Sequence, residues 1–188
     1  MIFAHAPNHH LDENAIKERT AHMKKYIEMA LSMGASSAVS FDIKDIVFDP
    51  RVALKCIFGC ASYGKNHTCP FQKSPLSMKE YREMFERYSH GIIIGCKDAK
   101  TSQHISFEVE RACFLDGYYF AFSLSDCGLC PECSRIKGEQ CRIPAKARPA
   151  FHSIGIDVFK TVGQLGLPLY VAKNHDDETN WYSAVFIE

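Results

Sequence analysis

The sequence has no excess of charge of either sign and no long apolar run. Its 22 lysines and arginines balance 22 aspartates and glutamates, which argues against binding to nucleic acid or to membrane surfaces through charge. No segment is long and apolar enough to cross a bilayer, and the first residues, up to Asn14, lack the apolar stretch of a secretory signal. These absences predict a cytoplasmic protein with no nucleic-acid partner and no membrane partner.

Internal repeats, low-complexity tracts, phosphate-binding glycine loops and nucleophile elbows are also missing. The chain has 188 residues, of which 46% are hydrophobic, and this is enough to build the core of one domain, residues 1–188. Helical and β-prone segments alternate along the chain. The sequence therefore predicts the α/β class, as a single domain with a mixed sheet flanked by helices and with cysteine-rich loops.

Hydrophobic periodicity and capping signals place the individual elements. Helices are predicted over 12–33, 77–88, 102–115 and 150–165, the second of them opened by a capping box of Ser77 and Glu80. Strands are predicted over 37–48, 91–95, 118–124, 169–172 and 181–187. Residues 51–76 have a composition typical of a loop.

Cysteine, by contrast, is abundant, with nine residues in the chain. In a reducing compartment, clustered cysteines indicate metal ligands or catalytic thiols before they indicate disulfides. The first thiol group consists of Cys56, Cys60 and Cys69, and the second thiol group consists of Cys127, Cys130, Cys133 and Cys141. The remaining two, Cys96 and Cys113, fit small core residues, and Cys96 is the better spare ligand because it ends a predicted strand.

The second thiol group has the spacing C-x2-C-x2-C-x7-C. Ferredoxin loops use the same C-x2-C-x2-C core with a further cysteine as ligand, whereas structural zinc sites more often use two separate C-x2-C pairs. The spacing favours a [4Fe-4S] cluster, with zinc and free thiols as alternatives. Five basic residues follow in the same loop, and they either tune the potential of a cluster or form a solvated face: Arg135, Lys137, Arg142, Lys146 and Arg148.

The first thiol group has the spacing C-x3-C-x8-C-P, which ends in the Cys-Pro pair of bacterial ferredoxin motifs. Three thiolates without an obvious fourth leave an open coordination position of the kind that substrate binding at a metal requires. His67 is a candidate fourth ligand or a solvated loop histidine. A zinc site, or thiols that complete the other centre, are the alternatives.

Three segments together resemble the predicted metal-binding proteins of unknown function found in many anaerobic microbes: residues 56–70, residues 127–141 and the run RPAFHSIGIDVFK, residues 148–160. The resemblance implies metal or cluster binding by Cys56, Cys60, Cys69, Cys127, Cys130, Cys133 and Cys141, and no established reaction. In the family pattern Arg-Pro is followed by Ser-Met-Glu, whereas here Ala150, Phe151 and His152 follow. Any chemical role of that acid is therefore in doubt in this chain. A structural role is expected for Asp157.

Two functions from different classes fit these features. The first is a redox protein with one or two [4Fe-4S] clusters that passes electrons to an unidentified partner protein or small molecule. The alternative is a zinc-stabilised structural or binding module without catalytic turnover. A thiol-exchange enzyme fits less well, because its motif requires a single C-x2-C at the start of a helix. The sequence leaves open whether the protein is an enzyme.

Overall fold

The computed structural model describes residues 13–69, 76–170 and 179–188, which include five helices and four strands. The helices are α1 (Glu13–Ser32), α2 (Val52–Gly59), α3 (Met78–Phe85), α4 (Ala99–Leu115) and α5 (Val158–Gln164). The strands are β1 (Ser37–Asp42), β2 (His90–Cys96), β3 (Phe122–Leu124) and β4 (Trp181–Phe186). Helices and strands alternate as predicted, which confirms the α/β class. None of the described helices has the length and apolarity needed to cross a membrane.

The four strands form one sheet in the order β1-β2-β4-β3, and every pairing in it is antiparallel. In the register, Ile93 of β2 and Leu124 of β3 both lie opposite Ala184 of β4. The prediction of a mixed sheet is wrong in this respect. Strands β2 and β3 do run in the same direction and are joined through α4, as the alternation of strand and helix predicts. The C-terminal strand β4 lies between them, however, and so each finds an antiparallel neighbour.

Strand β2 is buried along its whole length, and its isoleucines contribute to both faces of the sheet. Ile92 and Ile94 pack in the cluster that α1 and α4 cover, whereas Ile93 packs in the cluster on the opposite face, with Phe85 of α3 and Val162 of α5. Each of these isoleucines has 0% exposure, and burial of one such side chain stabilises the fold by about 1.5–3 kcal/mol. The sheet is therefore the middle layer of three.

Most predicted elements are confirmed, including β2, α4, β4 and the capping box that begins α3. The predicted strand over 118–124 is shorter, since only β3 is extended. Neither Leu169 nor Tyr170 is in a strand, and the rest of that predicted strand, residues 171–172, lies outside the described residues.

The predicted helix over 150–165 is wrong in its first half. A short 3-10 helix, Phe151–Ile154, is followed by Gly155 with φ +95°, a left-handed conformation that ends a helix. Ile156 then pairs with Phe48 in an isolated bridge. Helix α5 begins only after Asp157, whose side chain accepts a hydrogen bond from the Lys160 N–H at 3.1 Å. The expected structural role of Asp157 is thus confirmed as an N-cap.

Candidate metal centre

The second thiol group lies in the loop that leaves β3, at the end of the sheet where α4 begins. The N–H of Ser125 donates to the Pro149 carbonyl at 2.9 Å, which brings the start of this loop against the segment that follows it. A 3-10 turn, Ser134–Lys137, ends at Gly138 with φ +74° and folds the loop back. The four cysteines of this loop line one cavity of about 280 Å³, called the second cavity here: Cys127, Cys130, Cys133 and Cys141.

The first thiol group is carried partly by a helix, which corrects the prediction of a loop over 51–76. Cys56 is the buried residue of α2, Cys60 follows the helix and is exposed, and Cys69 is partly exposed. Pro70, the second residue of the Cys-Pro pair, lies outside the described residues. The three cysteines line a cavity of about 400 Å³, called the first cavity here.

The two cavities are neighbours, because the loops that carry them are joined by two side chains. Arg135 Nε donates to the Gly64 carbonyl at 2.6 Å, and His67 Nε2 donates to the Glu139 carbonyl at 3.0 Å. His67, a candidate ligand of the first group, therefore lines the second cavity. The residues common to both cavities are Ser62, Asn66, Thr68 and Cys127.

Within each thiol group, neighbouring cysteines affect one another's pKa values. Burial raises the pKa of the Cys56 thiol to about 11, and the neighbouring Cys60, Cys69 and Asp126 add to the effect. Burial also raises the pKa of the Cys127 thiol, and the neighbouring Cys141 and Cys133 of the second group raise it further. Thiolates placed this close repel one another, so a bound cation would stabilise the ionised form of either group.

Hydrogen-bond donors face the sulfur of Cys127. The Leu129 N–H and the Gln103 side chain both lower the pKa of this thiol, against the larger effect of burial. Gln103 has 1% exposure, and its Oε1 accepts from the Gly128 N–H at 2.8 Å. Its Nε2 is buried and is directed toward the Cys127 sulfur, but it meets no described acceptor with full hydrogen-bond geometry. A buried amide that lacks a partner costs free energy, and a sulfur-ligated centre next to Cys127 would supply an acceptor.

Sequence reasoning missed Gln103 and two further polar residues at the site. Asp126 and His152 line the first cavity, where burial raises the pKa of Asp126 and His152 acts in the opposite direction. His152 holds the position of the acid in the family pattern, so that position faces the first thiol group. The available signal for Asp126 was its place directly before Cys127. For Gln103 it was the row of polar residues that it forms with Ser106 and Glu110 on the buried side of α4.

The five basic residues of the second thiol loop contribute less positive charge to a metal centre than their number indicates. Three of the five pair with acids: Lys137 with Glu132 at 3.8 Å, Arg142 with Glu139 at 3.4 Å, and Arg148 with Glu110. Of these pairs only the last is buried. The first two are exposed and contribute little to stability. The positive field expected at the second thiol group is therefore partly neutralised.

Cys96 and Cys113 belong to the core and not to either cavity wall. Both have at most 1% exposure and pack in the cluster between the sheet and helices α1 and α4. Burial raises the pKa of Cys96 to about 11 and that of Cys113 to about 12. The prediction that both are small core residues is confirmed.

The donor chemistry of both groups fits a metal that prefers sulfur. All seven grouped cysteines have free thiols, and thiolates select iron-sulfur clusters, zinc or copper(I). Across the described ranges, no three His, Cys, Asp or Glu side chains are placed to hold one metal ion. The thiols surround two cavities rather than a point, so binding of a single ion requires their side chains to rotate inward.

Comparison with known proteins agrees with the chemistry of the site. No curated protein and no solved structure matches the chain. The family described as "Predicted metal-binding protein (DUF2284)" matches residues 39–187, which is more than half of the chain and includes both thiol groups. The resemblance of the three motifs is thereby confirmed, and the chain belongs to this family of predicted metal-binding proteins.

Proposed function

We propose that the protein binds one or two [4Fe-4S] clusters at its thiol groups and passes single electrons to a partner protein or a small molecule. The observation that carries the proposal is the second thiol group, whose four cysteines line one cavity beside β3. Their C-x2-C-x2-C core is the spacing that ferredoxin loops use. The first thiol group offers a second, more exposed place for a cluster.

The size of the second cavity supports a cluster over a single ion. A zinc ion draws four thiolates to within about 2.3 Å of one point, whereas a cubane cluster keeps them apart around a core of irons and sulfides. The four thiols of the second group instead lie around a cavity of about 280 Å³. Thiols arranged around such a space are closer to the arrangement that a cluster requires.

A bound cluster would supply one-electron redox chemistry, and the surrounding residues would set its potential. The Leu129 N–H points at the sulfur of Cys127, and hydrogen bonds to cluster sulfurs stabilise the reduced, more negative state. Partial burial of the second thiol group limits the access of water, which also affects the potential. The exposed Cys60 leaves the first thiol group accessible to an electron donor or acceptor.

Anaerobic expression with added iron, followed by anaerobic purification, tests this proposal. We expect a brown protein with equal amounts of iron and sulfide, a visible absorbance that dithionite bleaches, and a paramagnetic resonance signal from the reduced cluster. The double variant Cys130→Ser/Cys133→Ser should lose the iron and sulfide of the second group. Cys113→Ala is the matched control, because it removes a buried thiol outside both cavities and should keep the full content.

The same preparation distinguishes the zinc alternative. A colourless protein that holds stoichiometric zinc after this expression would refute the redox function and leave a zinc-stabilised module. Retention of iron and sulfide by the double variant would also contradict the assignment of the cluster to the second thiol group.

A further inference from the structure

The first thiol group has three cysteines of its own, yet closed thiolate centres have four ligands. The first cavity contains further side chains that can bind a metal, namely Cys127, Asp126 and His152. Among the described residues, these three are the candidates for a fourth ligand of the first group. The choice among them decides whether the two thiol groups are independent.

We infer that Cys127 serves both thiol groups, as the fourth ligand of the first and as a ligand of the second. This inference rests on the proposed function, in that both groups are taken to bind metal. Among the described residues, Cys127 is the cysteine that lines both cavities. A thiolate sulfur has several lone pairs and can bind a metal ion on each of two sides.

The chemistry of the competing donors favours Cys127. Metals that select the three soft thiolates of the first group bind a fourth thiolate more readily than the carboxylate of Asp126. The imidazole of His152 is an intermediate donor, and its position in the cavity makes it the main competitor. His67 does not compete, because it lines the second cavity and not the first.

Contacts on both sides of Cys127 keep it between the cavities. The adjacent Gly128 donates its N–H to Gln103 Oε1 on α4 at 2.8 Å, which fixes the backbone next to Cys127. Across the boundary, Arg135 Nε binds the Gly64 carbonyl at 2.6 Å and holds the first loop against the second. The sulfur of Cys127 is thereby kept at the boundary that the two cavities share.

Cadmium NMR of the full-length protein tests the inference without any assay of activity. Cadmium(II) is a thiophilic probe, and the resonance of its spin-half isotope moves according to the number of bound thiolates. The wild-type protein, refolded anaerobically with cadmium, should give resonances from both groups. Because Cys127 is shared, we expect scalar coupling between a cadmium of one group and a cadmium of the other.

Variants of single cysteines assign the shared ligand. Cys127→Ser should shift the resonances of both groups, since each loses a thiolate. Cys130→Ser is the control for the second group and should shift only the resonance of that group, and Cys60→Ser should do the same for the first. His152→Ala should leave both sets in place.

Three results would overturn the inference. The first is a Cys127→Ser spectrum that changes only at the second group, as the Cys130→Ser spectrum does. The second is a shift at the first group on His152→Ala, which would make His152 the fourth ligand. The third is a wild-type protein that binds no thiophilic metal, which would refute the proposed function as well. The first two leave the proposed function intact, so the two failures are distinguishable.

Discussion

The buried ion pair between Glu110 of α4 and Arg148 should be the most sensitive polar contact outside the thiol groups. Both side chains have 11% exposure, and Arg148 Nε donates to Glu110 Oε2 at 2.8 Å. The same oxygen accepts from Ser123, from its N–H at 2.7 Å and its hydroxyl at 2.6 Å. The guanidinium of Arg148 also lies over the rings of Phe107 and Phe122, at 5.3 and 5.1 Å from their centres.

Removing one partner of this pair leaves the other charge buried. Glu110→Ala should therefore lower the free energy of unfolding by about 3–5 kcal/mol, the range for breaking a buried pair. Part of that cost is the unsatisfied N–H of Ser123, worth about 1–3 kcal/mol. The double variant Glu110→Leu/Arg148→Met removes both charges and keeps apolar volume. It should therefore lower the free energy of unfolding by less than the sum of the losses for Glu110→Leu and Arg148→Met measured singly.

Urea unfolding of the metal-free protein, followed by circular dichroism under reducing conditions, measures these differences. Glu110→Gln is the conservative control, because it keeps the size of the side chain and an acceptor oxygen for Ser123. A cost below about 1 kcal/mol for Glu110→Ala would place the pair among exposed ion pairs and refute the reasoning. Strict additivity in the double variant would show that the two residues do not interact.

Three further predictions concern single substitutions. Gly91→Ala places a methyl group 2.2 Å from the Val185 carbonyl oxygen and should cost about 3 kcal/mol or more in urea unfolding, whereas Gly59→Ala, with nothing within 4 Å, should cost far less. Burial raises the pKa of Cys113 to about 12, so the unfolded chain loses this proton first. The free energy of unfolding should therefore fall as the pH rises from about 9 toward 12. The urea midpoint of Cys113→Ala should fall less over the same pH range. Gln103→Leu should lower the reduction potential of the loaded second group in a redox titration, because an amide donor near its sulfur is lost; an unchanged potential at full metal content would contradict this role.

Elements with a local signal were predictable from the sequence. The capping box of Ser77 and Glu80 starts α3 as expected, since both partners lie within one helical turn. Three consecutive isoleucines identified β2 as a buried strand. The antiparallel sheet was not predictable in this way, because it depends on β4 inserting between β2 and β3. That insertion is a long-range event without a signature in either neighbour.

The same distinction between local and long-range signals applies to the candidate site. Cysteine spacing was sufficient to name both thiol groups, since thiols a few residues apart are held together by the chain itself. The position of Cys127 between two cavities depends on a contact between loops that are far apart in sequence, such as that of Arg135 with Gly64, 71 residues away. The break before α5 was missed because Gly155 reads as a tolerated helix glycine until its positive φ is known.

Helix α4 connects the fold to the site, because it attaches both ends of the second thiol loop. Gln103 binds Gly128 at the start of the loop, and Glu110 binds Arg148 at its end. Residues seven apart lie on the same face of a helix, about 10 Å along its axis, so the two attachments fix the distance between the loop ends. A loop held at both ends loses less conformational entropy when its thiols bind a metal. Disruption at Glu110 should consequently weaken metal binding by a group of cysteines that Glu110 does not contact.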